Sequence, residues 1–109
     1  MSKIFIIPFH VTRMETSIMP SQLAGGYVSC YTLADDYVDA TTRSLQRLKD
    51  DGLYPKEILQ PVQEMATESW SGHVKETFPG HEERLPTQVE FETTVADGGV
   101  VYGAFASYE

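Results

Sequence analysis

The sequence predicts an α+β domain: a two-layer sandwich with a mainly antiparallel sheet, element order ββαβαββ, and two helices on one face. Three observations predict it. Phe5, Ile7, Phe9 and Val11 alternate with Ile4, Ile6, Pro8 and His10, which is the period of a strand. Val38, Thr41, Leu45 and Leu48 recur at helical spacing between an aspartate pair and Gly52. Asp97-Gly98-Gly99 separates two runs rich in β-branched and aromatic residues, a hairpin signal.

The first strand carries apolar residues on both faces, so its first half is expected to be buried on both sides. Pro8 lacks an N–H to donate, which points to an edge position or a bulge near the middle of that strand. Glu15 to Gly26 reads as a loop broken by Pro20 and the Gly25–Gly26 pair. A second strand follows over Tyr27–Leu33, with Tyr27, Ser29, Tyr31 and Leu33 on one face and Val28, Cys30 and Thr32 on the other.

Asp35 or Asp36 then caps a helix over about 36–51. Arg43, Arg47 and Lys49 suit its negative end. Gly52 fits the C′ position, which pairs Leu48 with Leu53 across a Schellman ending. The glycines of this region precede a strand; they do not lie between a strand and a helix. The junction that would cradle a phosphate is Ala34-Asp35-Asp36, and its acids repel anions. Those aspartates therefore serve the backbone.

Ile58 and Val62, interrupted by Pro61, read as an edge strand. Trp70, Val74 and Phe78 define a helical face ended by Pro79-Gly80. Val89, Phe91, Thr93 and Val95 alternate with Glu90, Glu92 and Thr94 and read as the first strand of the closing hairpin. Val100, Tyr102, Ala104 and Ala106 form the buried side of its partner.

The chain has 109 residues, 41% apolar and 22% charged, which favours one globular domain over 1–109. Its longest apolar run, Ile4–Ile7, is too short for a bilayer span or for a signal-peptide core. A single cysteine cannot staple a secreted domain, so a cytoplasmic location is expected. The net charge is −8, and residues 54–109 carry −7 of it. Such a field repels nucleic acid and anionic membranes; it serves solubility, and its sharper reading is a basic protein partner. No motif requires a cofactor.

Three constellations have chemical potential. His10, on the first strand, can share a pocket with Tyr27, Tyr31 or Tyr102 as acid and base. His73, Glu76 and His81 could together present two imidazoles and a carboxylate to a zinc ion, although no helical i, i+4 histidine pair is present. Cys30, in mid-strand between Ser29 and Tyr31, reads as a core residue. For partner binding, Glu82, Glu83, Glu90 and Glu92 offer negative charge. Val101 and Phe105, on the hairpin face opposite Val89 and Phe91, offer an apolar patch that a second subunit would cover.

The segment from Gly25 to Ile58, a tyrosine-rich strand entering a helix with an acidic, glycine-capped end, resembles a module of small bacterial proteins of ferredoxin-like type. The resemblance implies that fold, and some small acidic proteins of the type neutralise a toxin. The expectation is a non-catalytic interaction or inhibitor module, a homodimer that binds a basic partner. The alternative is a small dimeric enzyme built on His10 and tyrosines.

Overall fold

A computed structural model describes residues 2–109. The strands are β1 (Lys3–Arg13), β2 (Gly25–Ala34), β3 (Leu53–Ile58), β4 (Gln63–Met65), β5 (Val100–Tyr102) and β6 (Ala106–Tyr108). The helices are α1 (Tyr37–Asp50), α2 (Trp70–Thr77) and α3 (Gln88–Ala96). Single 3₁₀ turns precede α2 and α3, at Thr67–Ser69 and Glu82–Arg84. All strand pairs are antiparallel and form one six-stranded sheet, so the α+β expectation holds.

β1 and β2 form the centre. β3 and β4 share the outer edge of β1, and β5 and β6 share the outer edge of β2. Pro61 therefore interrupts an edge strand, as its missing donor requires. Pro8 lies in the central strand, opposite the gap between β3 and β4. There its missing N–H costs no ladder bond, and its carbonyl accepts from Leu59 N at 2.8 Å. β2 and β3 both run antiparallel to β1 and so run parallel to one another, joined by α1.

Helix α1 follows its local signals. Asp36 is the N-cap and accepts from Asp39 N at 2.8 Å. Gly52 takes φ +74° at C′, and Leu48 and Leu53 are both fully buried. The buried stripe is rotated from the expected one. Ala40, Ser44 and Leu48 face the sheet, Leu45 is half-buried, and Val38 is exposed. Small side chains at 40 and 44 let the helix axis approach the sheet. Ser44 Oγ is satisfied by Thr32 Oγ1 at 3.0 Å.

The segment expected to open the closing hairpin is helix α3. Thr87 and Glu90 form a capping box, with Thr87 Oγ1 accepting from Glu90 N at 3.2 Å and Glu90 Oε1 from Thr87 N at 2.8 Å. Phe91 and Val95, one turn apart, are buried, whereas Val89 is 72% exposed. Asp97-Gly98-Gly99 is the helix ending. Gly98 has φ +86°, its N–H reaches Val95 O at 3.1 Å, and Gly99 N reaches Thr94 O at 2.9 Å. That is a complete Schellman pair of bonds in place of a hairpin turn. The observed order is thus β1-β2-α1-β3-β4-α2-α3-β5-β6.

The helices also divide between the sheet faces, which corrects the placement of both on one. Phe5, Ile7, Phe9 and Val11 of β1 pack with Ala40 and Leu48 of α1. Ile4 and Ile6 of β1 and Tyr31 of β2 pack with Trp70 and Val74 of α2, Phe91 and Val95 of α3, and Val101. The strand period of two sends alternate residues to opposite sides, and both sides of β1 are apolar. Trp70 anchors the second cluster, stacked on Phe91 with ring centres 4.2 Å apart, its indole N–H donating to Pro86 O at 2.8 Å. No helix among the described residues is long and apolar enough to cross a membrane.

Candidate functional site

The three tyrosines considered with His10 go to different places. Tyr27 is its cross-strand partner in the β1–β2 register, and the two rings stack with centroids 4.8 Å apart and planes 22° apart. Tyr31 lies beneath α2, where its hydroxyl meets His73 Nε2 at 2.6 Å. Tyr102 points to the α1 face. Its hydroxyl donates to Asp51 Oδ2 at 2.6 Å, and its ring lies under the Arg47 guanidinium at 4.9 Å. His10, Tyr31 and Tyr102 therefore do not form one pocket.

His10 instead gathers residues from three other strands. Its Nε2 is 2.7 Å from the hydroxyl of Tyr108 on β6. Its Nδ1 faces Glu57 Oε1 on β3 at 3.8 Å, an ionic distance longer than a hydrogen bond. A β-bulge sets this up. The register runs His10 opposite Glu57 and Val11 opposite Pro55, so Lys56 is the unpaired extra residue. An unbroken register from Val11 would have put Lys56 across from His10. The bulge replaces a cation with a carboxylate beside the imidazole, the kind of re-aiming that bulges provide.

Glycine makes the other contact possible. Gly25 pairs with Tyr108, and a Cβ at Gly25 would lie 2.6 Å from the Tyr108 hydroxyl and 2.5 Å from Val11 O. Only a residue without a side chain leaves the phenol room to reach His10. The His10 side chain is 13% exposed, while Tyr27, Glu57 and Tyr108 reach solvent. The cluster sits on the part of the sheet face that lies beyond the second core cluster. Beside it, Pro8, Ser29, Tyr27, Leu59, Ala104 and Ala106 line a shallow cleft of about 180 Å³.

The remaining candidates are structural in their contacts. Cys30 is fully buried on the α1 face, opposite Ile7, and burial pushes its thiol up to about 12 despite a Ser44 hydrogen bond. This agrees with a core role. Burial also raises the Tyr31 and Tyr102 phenols, the latter further through its bond to Asp51. Burial lowers His73, against a smaller opposing pull from the Glu76 carboxylate. Burial alone would raise Asp51, but the Tyr102 and Arg47 hydrogen bonds outweigh it and hold its carboxyl below the usual range. His73, Glu76 and His81 are not brought together as ligands: no group of three or more such side chains that could hold a metal ion forms among the described residues. His73 is committed to Tyr31 and, through Nδ1 at 3.4 Å, to the Thr77 hydroxyl.

The partner-binding candidates divide in the same way. Glu82, Glu83, Glu90 and Glu92 are all exposed, but Glu90 is used in the capping box, and Glu92 accepts from Gln88 Nε2 at 2.6 Å. Val101 is buried in the second cluster beside Phe91, because residues 88–96 are helical and pack onto that sheet face. It belongs to the core and not to an open patch. Phe105 reaches solvent and lines an apolar notch of about 190 Å³ with Ile18, Met19, Pro20 and Ser107. The chain matches no family model, no curated protein and no solved structure.

Proposed function

We propose that this protein is a protein-interaction or inhibitor module that engages a basic partner through its α2–α3 layer. The observation that carries the reading is the unequal charge of its two helical layers. Residues 67–97 hold Glu68, Glu76, Glu82, Glu83, Glu90, Glu92 and Asp97 against Lys75 and Arg84, a net −5, and all nine side chains are exposed. The α1 layer, residues 36–51, is nearly balanced at −1. Its Arg43 and Arg47 pair with its own aspartates, Arg43 with Asp39 at 3.2 Å and Arg47 with Asp51 at 2.8 Å. One side of the molecule is thus a negative surface that steers a cationic partner, and the other is not.

A toxin-neutralising role in the cytoplasm fits this reading, as does pairing of two copies through the sheet edge. A ferredoxin-like kinship fits as well: β2, α1 and β3 straddle β1 as a split βαβ unit. The test is calorimetric titration with an arginine-rich peptide at rising salt. Affinity should fall steeply with ionic strength. Charge reversal at Glu82 and Glu83 should weaken binding far more than reversal at Asp50 on α1. Indifference to salt, or equal losses from the two layers, rejects the proposal.

A further inference from the structure

The cluster around His10 has a property beyond partner recognition, and it stands whether or not the acidic layer binds a cation. We propose that Tyr108 is a nucleophilic site that takes an acyl group from an activated carboxylic ester, with His10 as its base. The geometry is that of a nucleophile, a base and an orienting group in sequence. The Glu57 carboxylate on the Nδ1 side favours the tautomer protonated there. Nε2 is then the acceptor for the Tyr108 hydroxyl at 2.7 Å. Tyr27, stacked on the imidazole, holds its plane. Gly25 clears the path of the phenol, and the β-bulge at Lys56 supplies the carboxylate.

Two other tyrosine hydroxyls are engaged as closely, and neither is placed to react. Tyr31 meets His73 from a ring that is 1% exposed. Tyr102 donates a hydrogen bond to the Asp51 carboxylate, which also accepts from Arg47. Tyr108 alone of the three is exposed, at 37%, on a short final strand that an incoming electrophile can reach.

In the reaction, the Tyr108 oxygen attacks the carbonyl carbon of the ester and a new C–O bond forms. The phenol proton passes to His10 Nε2. The bond from the carbonyl carbon to the leaving group breaks, and the leaving group departs with the electron pair. The imidazolium then gives up its proton, to the leaving group or to water. The product is a tyrosyl ester, and no redox partner is needed.

The experiment treats the whole protein with p-nitrophenyl acetate and follows each tyrosine by peptide mass mapping. Esters are separated from lysyl amides by their cleavage with hydroxylamine. Tyr54 and Tyr37, 56% and 40% exposed, are more accessible than Tyr108 and serve as internal references. Acetylation at Tyr108 should outrun both by on the order of a hundredfold, the usual range for a positioned base. His10→Gln should bring Tyr108 down to the reference rate. Glu57→Gln should slow Tyr108 and leave Tyr54 unchanged, and Glu57→Asp, which keeps the carboxylate, should restore it. Equal labelling of the three tyrosines in the unmodified sequence overturns the proposal without any variant. So does a His10→Gln protein that labels Tyr108 as fast as its parent.

Discussion

The Tyr31 hydroxyl lies 2.6 Å from His73 Nε2, joining the centre of β2 to the middle of α2. The ring of Tyr31 is buried against Trp70 and Phe91, at centroid separations of 4.9 and 6.3 Å. This bond gives an exposed eight-residue helix a fixed polar anchor on the sheet, in addition to its two apolar contacts, Trp70 and Val74.

The burial of His73 beside Tyr31 makes stability depend on pH. Burial holds the folded-state pKa of His73 below its ordinary 6.5. The native state therefore binds fewer protons than the unfolded chain in that range, so stability rises with pH. The contribution is complete above the ordinary value and is lost as pH falls through and below it. Urea unfolding between about pH 7 and about pH 5 should show a loss in the parent that His73→Gln largely lacks. A second acid loss belongs to Asp51, whose depressed carboxyl stabilises above 3.8 and ceases to do so as pH falls further. Asp51→Asn should remove that lower step alone.

Gly103 is the neighbour that makes the Tyr31 contacts possible. A Cβ there would lie 2.7 Å from Phe78 Cζ and 3.2 Å from Tyr31 Cε1, both in packed rings. Gly103→Ala should destabilise the protein by about 1–3 kcal/mol. Equilibrium unfolding in urea measures it, and unchanged stability would show that Phe78 gives way freely.

Thr87→Ala tests whether the helical state of residues 88–96 rests on its capping box. The substitution removes the acceptor for Glu90 N and should cost about 1 kcal/mol. Thr87→Ser, which keeps the hydroxyl, should recover most of it. A hydrogen-exchange profile would show the loss concentrated in Glu90–Val95.

Gly52 carries the strictest backbone demand. Its φ of +74° disfavours any side chain, and a Cβ would lie 1.8 Å from Thr16 O. Gly52→Ala should cost about 3 kcal/mol or more, because both the turn and the loop packed on it must shift. Its thermal midpoint should fall further than that of Gly80→Ala, whose φ is also positive but whose surroundings are open.

Features carried by near neighbours were readable in advance. The Asp36 cap, the Gly52 ending, the strand alternation of residues 3–11 and the edge character around Pro61 each depend on chemistry within a few positions. Residues 88–96 were misread because nine residues with apolar side chains at 89, 91 and 95 fit both periods. The pair Phe91–Val95 obeys the helix and Val89 does not. The deciding signal was present locally, in the spacing of Thr87 and Glu90 after Pro86. For the site, His10 and Tyr27 were legible as candidates for one pocket, but so were Tyr31 and Tyr102, which lie elsewhere. Tyr108 was not, being 98 residues further along the chain.

Local chemistry settled where helix α1 begins and ends, that β1 and β2 are strands, and that Cys30 belongs to the interior. Folding in three dimensions assigned the helices to opposite faces. β1 is apolar on both sides, so its own pattern states no preference between them. Folding also chose Glu57 over Lys56 as the neighbour of His10, because a register shift between strands far apart in the chain is a property of their pairing.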